Sequence, residues 1–165
     1  MPELRAGYRT DTGRVRVVNQ DNFIAVRSLF AVADGMGGHA GGEVASRIAV
    51  EAVGSASLAT VGDLIEAVQL ANAEIYHQSV TNNELHGMGT TFCGLALLRD
   101  GDHEEMVVVN VGDSRVYVLQ DGKLLQITRD HSFVEDLVAA GEITHEEARH
   151  HPRRHIVTRV LGIEP

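Results

Sequence analysis

The second half of the chain contains four short apolar segments that are separated from one another by only a few residues. These segments are residues 89–98, 104–111, 115–119 and 123–127. Their β-branched and alternating side chains favour strands, and the connection Asp121-Gly122 is a pair typical of tight hairpin turns. Strands joined by such short connections run antiparallel, because a parallel pair needs a crossover of a dozen or more residues. The sequence therefore predicts an antiparallel sheet.

Two amphipathic helices are predicted ahead of these strands. Apolar residues recur at helical spacing from Val44 to Ala56 and again from Leu64 to Tyr76. Shorter helices are predicted over residues 132–140 and 144–151. Further strands are predicted over residues 4–9, 14–18, 22–26 and 28–33. Helices combined with antiparallel strands indicate an α+β fold, in which sheets pack together and helices lie outside.

The composition is that of one globular domain that does not bind nucleic acid. The chain has 165 residues, of which 44% are hydrophobic, so we expect residues 1–165 to form a single domain. Its formal net charge of -9 argues against a nucleic-acid partner, which would require a basic face. Cys93 is the only cysteine, and neither a signal peptide nor a run long enough to span a membrane is present. A cytoplasmic setting is expected.

Residues 29–43 combine an apolar strand that ends in Asp34, a glycine-rich loop and the start of a helix. A second apolar strand ends beside a glycine and Asp113, and Asp21 is a third candidate acid. Carboxylate and carbonyl oxygens are the ligands that Mg²⁺ and Mn²⁺ prefer, whereas zinc and copper favour other donors. The repeated placement of acids at strand ends therefore indicates a site for hard divalent cations.

The same glycine loop also fits the dinucleotide-binding pattern G-x-G-x-x-A, and it lies between a predicted strand and a predicted helix. Two features oppose this interpretation. Asp34 would bring a negative charge close to the pyrophosphate, and the later strands form hairpins rather than βαβ units. A dinucleotide-binding protein is kept only as a remote alternative.

Several short motifs follow one another along the chain. They are Arg16 with Asn19 and Asp21, then Asp34-Gly35-Met36-Gly37-Gly38, Gly87-Met88-Gly89-Thr90-Thr91, Val111-Gly112-Asp113-Ser114-Arg115, Thr128-Arg129-Asp130-His131-Ser132, and Ile156-Val157-Thr158-Arg159-Val160-Leu161-Gly162. In this order they resemble the bacterial branch of the metal-dependent protein serine/threonine phosphatases, the PPM family. The resemblance covers essentially the whole chain and is strongest to the phosphatases that partner bacterial Ser/Thr kinases.

The resemblance implies a fold, an activity and a set of partners. The implied fold is a four-layer sandwich, with two packed antiparallel sheets flanked by helices and a metal centre at one end. The implied activity is hydrolysis of phosphoserine and phosphothreonine in proteins by a metal-activated water, with two or three Mn²⁺ or Mg²⁺ ions as cofactors. The implied partners are phosphorylated proteins, including a Ser/Thr kinase and its substrates.

The resemblance also implies roles for individual residues. Asp34 matches the carboxylate that bridges two metals, and Gly35 matches the residue that gives a backbone carbonyl to one of them. Asp113 matches a ligand of the third metal seen in bacterial members. Asp21 matches an acid that holds metal-bound water, and Arg16 matches the arginine that binds phosphate.

Histidines are less clearly assigned. His39 lies in the glycine loop and is a candidate general acid for the leaving oxygen, with a solvated loop histidine as the alternative. Relatives in other branches carry a histidine directly after the Asp-Gly pair, where this chain has Met36. A histidine-rich tract is expected to be exposed, in the segment that resembles the family's flap. It contains His145, His150, His151 and His155.

The largest departure from the family lies at the C-terminal end. Family members continue for roughly another third of a domain, with further metal-binding acids that this sequence does not contain. We therefore expect residues 1–165 to be a truncated PPM-type domain. A second hypothesis, from a different class, is an inactive domain that binds phosphoproteins or a kinase.

Overall fold

The computed structural model describes residues 5–26, 28–37, 40–100 and 103–164. The strands are β1 Asp21–Val26, β2 Leu29–Met36, β3 Gly89–Thr90, β4 Phe92–Asp100, β5 His103–Val111, β6 Tyr117–Gln120 and β7 Lys123–Gln126. The helices are α1 Gly41–Ser55, α2 Val61–Thr81, α3 Phe133–Ala139 and α4 His145–His150, with a 3₁₀ turn at Asn83–Leu85. Both long helices, both short helices and the predicted hairpins are confirmed.

The strands form two antiparallel sheets. The larger sheet has the order β1-β2-β4-β5, and β3 pairs with the end of β2. The smaller sheet consists of β6 and β7, and β6 begins at Tyr117 rather than at the predicted residue 115. Two antiparallel sheets together with helices are the α+β fold expected from the sequence. Every pairing among the described strands is antiparallel, so the parallel sheet that a dinucleotide site requires is not formed by them.

The core lies between the larger sheet and α1. Along β2, the alternation of strand side chains buries Leu29, Ala31 and Ala33, and turns Val32 and Asp34 to the opposite, more exposed face. Helix α1 packs on β1 and β2, and α2 packs on α1. Because the helix side of β2 is buried, the register of this strand is fixed, and Asp34 is directed away from the core.

Helix α2 begins at Val61, ahead of the predicted apolar stripe from Leu64 to Tyr76, because Thr60 caps its first turn. The Thr60 hydroxyl accepts a hydrogen bond from the Asp63 amide at 3.2 Å, and the Asp63 carboxylate accepts one from the Thr60 amide at 2.8 Å. This reciprocal arrangement satisfies amides that have no partner inside the helix. These backbone hydrogen bonds lower the pKa of Asp63. Among the described residues no helix is both long and apolar enough to cross a membrane.

The strands predicted over residues 4–9 and 14–18 are wrong for the residues that the structure describes, 5–9 and 14–18. Val15 and Val17 are more than nine-tenths exposed, so these apolar side chains have no sheet face to pack against. The turn between the two segments does form. The amide of Gly13 donates to the Asp11 carboxylate at 2.8 Å, as in an Asx turn.

Candidate metal centre

Asp34 lies near the end of β2. Its amide and its carbonyl form hydrogen bonds with Thr90 and Thr91, at the end of β3 and just after it. Its amide donates to the Thr91 hydroxyl at 3.0 Å. Its carbonyl accepts a hydrogen bond from the Thr91 amide at 3.0 Å and one from the Thr90 hydroxyl at 3.0 Å. Three groups of these two adjacent residues therefore fix the backbone position from which the Asp34 carboxylate projects.

Asp34 is surrounded by other carboxylates. Asp21 is its direct partner in the register of β1 and β2. The pKa of Asp34 is raised to about 6, first because the surrounding protein removes water, then because of the Asp21 charge and hydrogen bond and the Asp113 charge. The charge of Arg16 acts in the opposite direction. Crowded carboxylates of this kind favour either a proton or a cation between them.

The donor groups at this site are of the kind that hard divalent cations bind. They are carboxylate oxygens and, at Gly35, a backbone carbonyl, which suit Mg²⁺ and Mn²⁺. Asp21 shares a hydrogen bond with Asp34, whereas Asp113 acts on it through charge. Within the described part of the chain no three His, Cys, Asp or Glu side chains converge closely enough to hold a metal ion. The residues therefore fit such an ion in kind, but form only part of a full ligand set.

The glycines after Asp34 allow the start of α1 to touch the end of β2. The Gly35 amide donates to the Gln20 carbonyl at 3.1 Å. A Cβ at Gly35 would lie 1.9 Å from the carbonyl oxygen of Gly42, and a Cβ at Gly42 would lie 2.8 Å from that of Gly35. Glycine at both positions is thus a packing requirement, and it also keeps side chains off the Gly35 carbonyl.

Two adjacent cavities open beside these carboxylates. One, of about 100 Å³, is lined by Arg16, Asp21, Asp34 and Gly35 together with neighbouring loop residues. The other, of about 260 Å³, is lined by Asp21, Asp34 and Ser114, and also by Arg9. Four of the predicted site residues therefore meet at one place, although Arg16 lies on a loop and not on the predicted strand.

Of the other two predicted residues, the structure describes only Asp113. Asp113 lines a separate cavity of about 700 Å³, next to Ser114 of the site described above. His39 lies outside the described residues, so the candidate general acid stays a prediction. Arg9 was not singled out from the sequence, because an arginine in a polar segment carries no local signal of its destination.

Thr91 links the end of β2, which carries Asp34, to the loop that carries Asp113. Besides its bonds to Asp34, its hydroxyl shares a hydrogen bond with the Ser114 hydroxyl at 2.8 Å. A Cβ at Gly112 would lie 2.6 Å from the Thr91 methyl group, so the second loop packs directly on this side chain. The Gly-Met-Gly-Thr-Thr motif contains Thr91, but its role is apparent only from these contacts.

Replacing Thr91 by valine is expected to destabilise the protein by about 1–3 kcal/mol, because the amide of Asp34 and the hydroxyl of Ser114 each lose a hydrogen-bond partner. Thr91→Ser retains the hydroxyl and is the matched control, with a smaller loss from the missing methyl group. Urea unfolding of both variants measures the difference. Equal stabilities of the two variants would show that the hydroxyl does not hold the end of β2 and the Asp113 loop together.

The chain belongs to the protein phosphatase 2C family. The family model described as Protein phosphatase 2C matches residues 13–161. The chain is 40% identical to the serine/threonine phosphatase stp of Listeria monocytogenes, over 98% of this chain and 68% of that protein. The membership expected from the motifs is confirmed.

Solved structures agree with this assignment. The crystal structure of the Mycobacterium tuberculosis serine/threonine phosphatase PstP/Ppp has a TM-score of 0.84 and 42% identity, and it matches 95% of this chain and 68% of that one. The catalytic domain of PstP in complex with two manganese ions has a TM-score of 0.80 and 40% identity, with 95% and 66% covered. The cofactor class expected for this family is thereby confirmed.

Proposed function

We propose that this chain provides the Asp34 side of a metal-dependent phosphatase centre that hydrolyses phosphoserine and phosphothreonine in proteins. The observation that carries the proposal is the convergence of Arg16, Asp21, Asp34 and Gly35 on one small cavity. Carboxylates gather divalent cations and an arginine gathers phosphate, so both partners of the reaction would be attracted to one place.

Each residue has a proposed role. Asp34, the Gly35 carbonyl and Asp113 would be oxygen ligands of Mn²⁺ or Mg²⁺, and Asp21 would accept hydrogen bonds from water near them. Arg16 would hold phosphate oxygens with its planar guanidinium, which can form two parallel hydrogen bonds. The bound ions would supply an activated water and neutralise the charge that develops on the phosphate.

The domain boundaries are also a proposal. The chain spans 68% of the Listeria relative, and we propose that residues 1–165 correspond to a PPM domain without its last metal-binding motifs. The incomplete ligand set among the described residues supports this proposal. It also favours a second candidate function, in which the chain binds phosphoproteins or a kinase without hydrolysing them.

The partners follow from the chemistry of the centre. We propose that they are phosphorylated proteins, and that a Ser/Thr kinase and its substrates are among them. A cytoplasmic location is proposed because the chain contains a single cysteine, which in this structure is buried and free.

Phosphate release from a phosphothreonine peptide tests the two candidate functions. The phosphatase proposal predicts release that depends on added Mn²⁺ and stops when EDTA is added. The binding proposal predicts that the peptide binds, as measured by fluorescence anisotropy, without phosphate release. If the peptide neither binds nor releases phosphate, both proposals are contradicted.

A further inference from the structure

The cavity of about 700 Å³ that includes Asp113 is bordered on its other side by the α3–α4 region. Its wall there carries basic and imidazole side chains. They are Arg129, Arg149, Arg154, His145 and His155. This cavity is distinct from the two that surround Asp34, but Asp113 and Ser114 are consecutive residues, so the cavities lie next to each other. An extended substrate at one could therefore reach the other.

Part of the charge in this cavity is neutralised internally. The guanidinium of Arg115 donates three hydrogen bonds to the buried Asp130 carboxylate, from Nε at 2.8 and 3.0 Å and from Nη2 at 2.6 Å. This bidentate pair raises the pKa of Arg115 and forms a neutral part of the wall. Arg129 lies 3.8 Å from Glu135, which also lines the cavity. These four residues therefore leave little net charge.

Arg149 and Arg154 are not neutralised in the same way. Arg149 contacts Glu146 at 3.3 Å, but both side chains are more than 70% exposed, and exposed pairs of this kind contribute little. Arg154 donates to the neutral His151 carbonyl at 3.4 Å, and among the described residues no ion pair of Arg154 is seen. His145 and His155 add hydrogen-bonding groups beside them. We call these four residues the basic rim.

The sequence around the basic rim is basic, whereas the chain as a whole is acidic. Residues 148–159 contain four arginines and three histidines but no acid, in a chain whose formal net charge is -9. The segment is held in place by Arg153, whose guanidinium carbon lies 5.2 Å from the centre of the Phe133 ring, and by the Phe133 amide, which donates to the Ile156 carbonyl. A positive surface anchored in this way on an acidic protein is suited to an anionic partner group.

We propose that the basic rim binds a second phosphorylated side chain of the same substrate protein while the first occupies the cavity at Asp34. The inference rests on the proposed function and narrows its substrate class to proteins phosphorylated at two nearby residues. A phosphate dianion with several acceptor oxygens matches the two guanidinium groups that line this cavity better than a single carboxylate does. The negative charge of the phosphate also complements the basic rim, whereas the acidic remainder of the protein repels anions.

Binding of fluorescent peptides in the presence of Mn²⁺ to the Asp34→Asn variant, which is expected to release phosphate far more slowly, tests the proposal with little dependence on catalysis. The peptides carry one phosphothreonine, two phosphothreonines at a series of spacings, or one phosphothreonine with glutamate in the second position. We expect the best doubly phosphorylated peptide to bind about tenfold more tightly than the singly phosphorylated one, as two charge-assisted contacts would provide. The advantage should shrink as salt is added.

The double variant Arg149→Gln/Arg154→Gln should remove this preference, and Arg149→Lys/Arg154→Lys should retain part of it. Arg47→Gln is the matched control, since Arg47 is an exposed arginine on α1 that pairs with Glu51 and lies outside these cavities. Equal affinities for singly and doubly phosphorylated peptides would overturn the proposal. So would an unchanged preference in the glutamine variant, or a glutamate peptide that binds as tightly as the doubly phosphorylated one.

Failure of this proposal can be told apart from failure of the proposed function. Phosphate release with Mn²⁺ from the singly phosphorylated peptide, without a preference for the second phosphate, would retain the phosphatase and reject the basic rim. A preference that depends on Arg149 and Arg154, without any release, would retain the rim and reject catalysis by this chain. Thermal unfolding of every variant establishes that it is folded.

Discussion

Replacing Asp34 by asparagine is expected to lower Mn²⁺-dependent phosphate release by at least about a hundredfold. Removing groups that merely orient metal ligands already costs 10–100-fold, and Asp34 is proposed as a ligand itself. Asparagine has nearly the same shape, and the hydrogen bonds of position 34 to Thr90 and Thr91 involve only its backbone. The change therefore removes charge while the position of the residue is retained.

The same substitution should not destabilise the metal-free protein. Because the pKa of Asp34 is raised in the folded state, its negative charge at neutral pH opposes folding, and a neutral amide removes that opposition. Loss of activity together with an undiminished melting temperature is the expected result. Asp121→Asn is the control, since this acid lies in the β6–β7 turn with a φ of 51°, a conformation that asparagine tolerates. A variant at position 34 that retains full activity would exclude Asp34 from the metal centre.

Replacing Gly35 by alanine is expected to destabilise the protein by more than about 3 kcal/mol, at or above the upper end of the usual cost of overpacking. The added methyl group would lie 1.9 Å from the Gly42 carbonyl oxygen and 2.7 Å from that of Gln20. Both are backbone atoms, so neither can rotate away. The end of β2 and the start of α1 would have to separate, and urea unfolding measures the loss.

Gly7→Ala provides the matched control for this substitution. No atom lies within 4 Å of a Cβ at that position, so its stability should stay within about 1 kcal/mol of the wild type. If Gly35→Ala proved as stable as Gly7→Ala, the close contact between β2 and α1 would be refuted. The test thus examines the packing that keeps side chains away from the Gly35 carbonyl.

Predictions from local patterns were reliable where the structure depends on local chemistry. The hairpin between β6 and β7 forms around Asp121-Gly122, and α2 contains the apolar stripe predicted from Leu64 to Tyr76. The predicted strands over 4–9 and 14–18 were wrong, because a strand also requires a neighbouring strand with which to pair, and none of the described residues of these segments belongs to a strand. Alternating side chains alone do not supply that partner.

The sequence by itself determined the family, the antiparallel character of the sheets and the acids at the strand ends, since motif order, turn residues and side-chain periodicity are local properties. Only the tertiary structure placed Asp21 opposite Asp34, joined Asp34 to Thr91 across 57 positions, and gathered the basic rim around its cavity. These juxtapositions depend on sheet register and on how distant segments pack. The free energy of such contacts is shared between residues far apart in the chain, and a local pattern cannot reveal it.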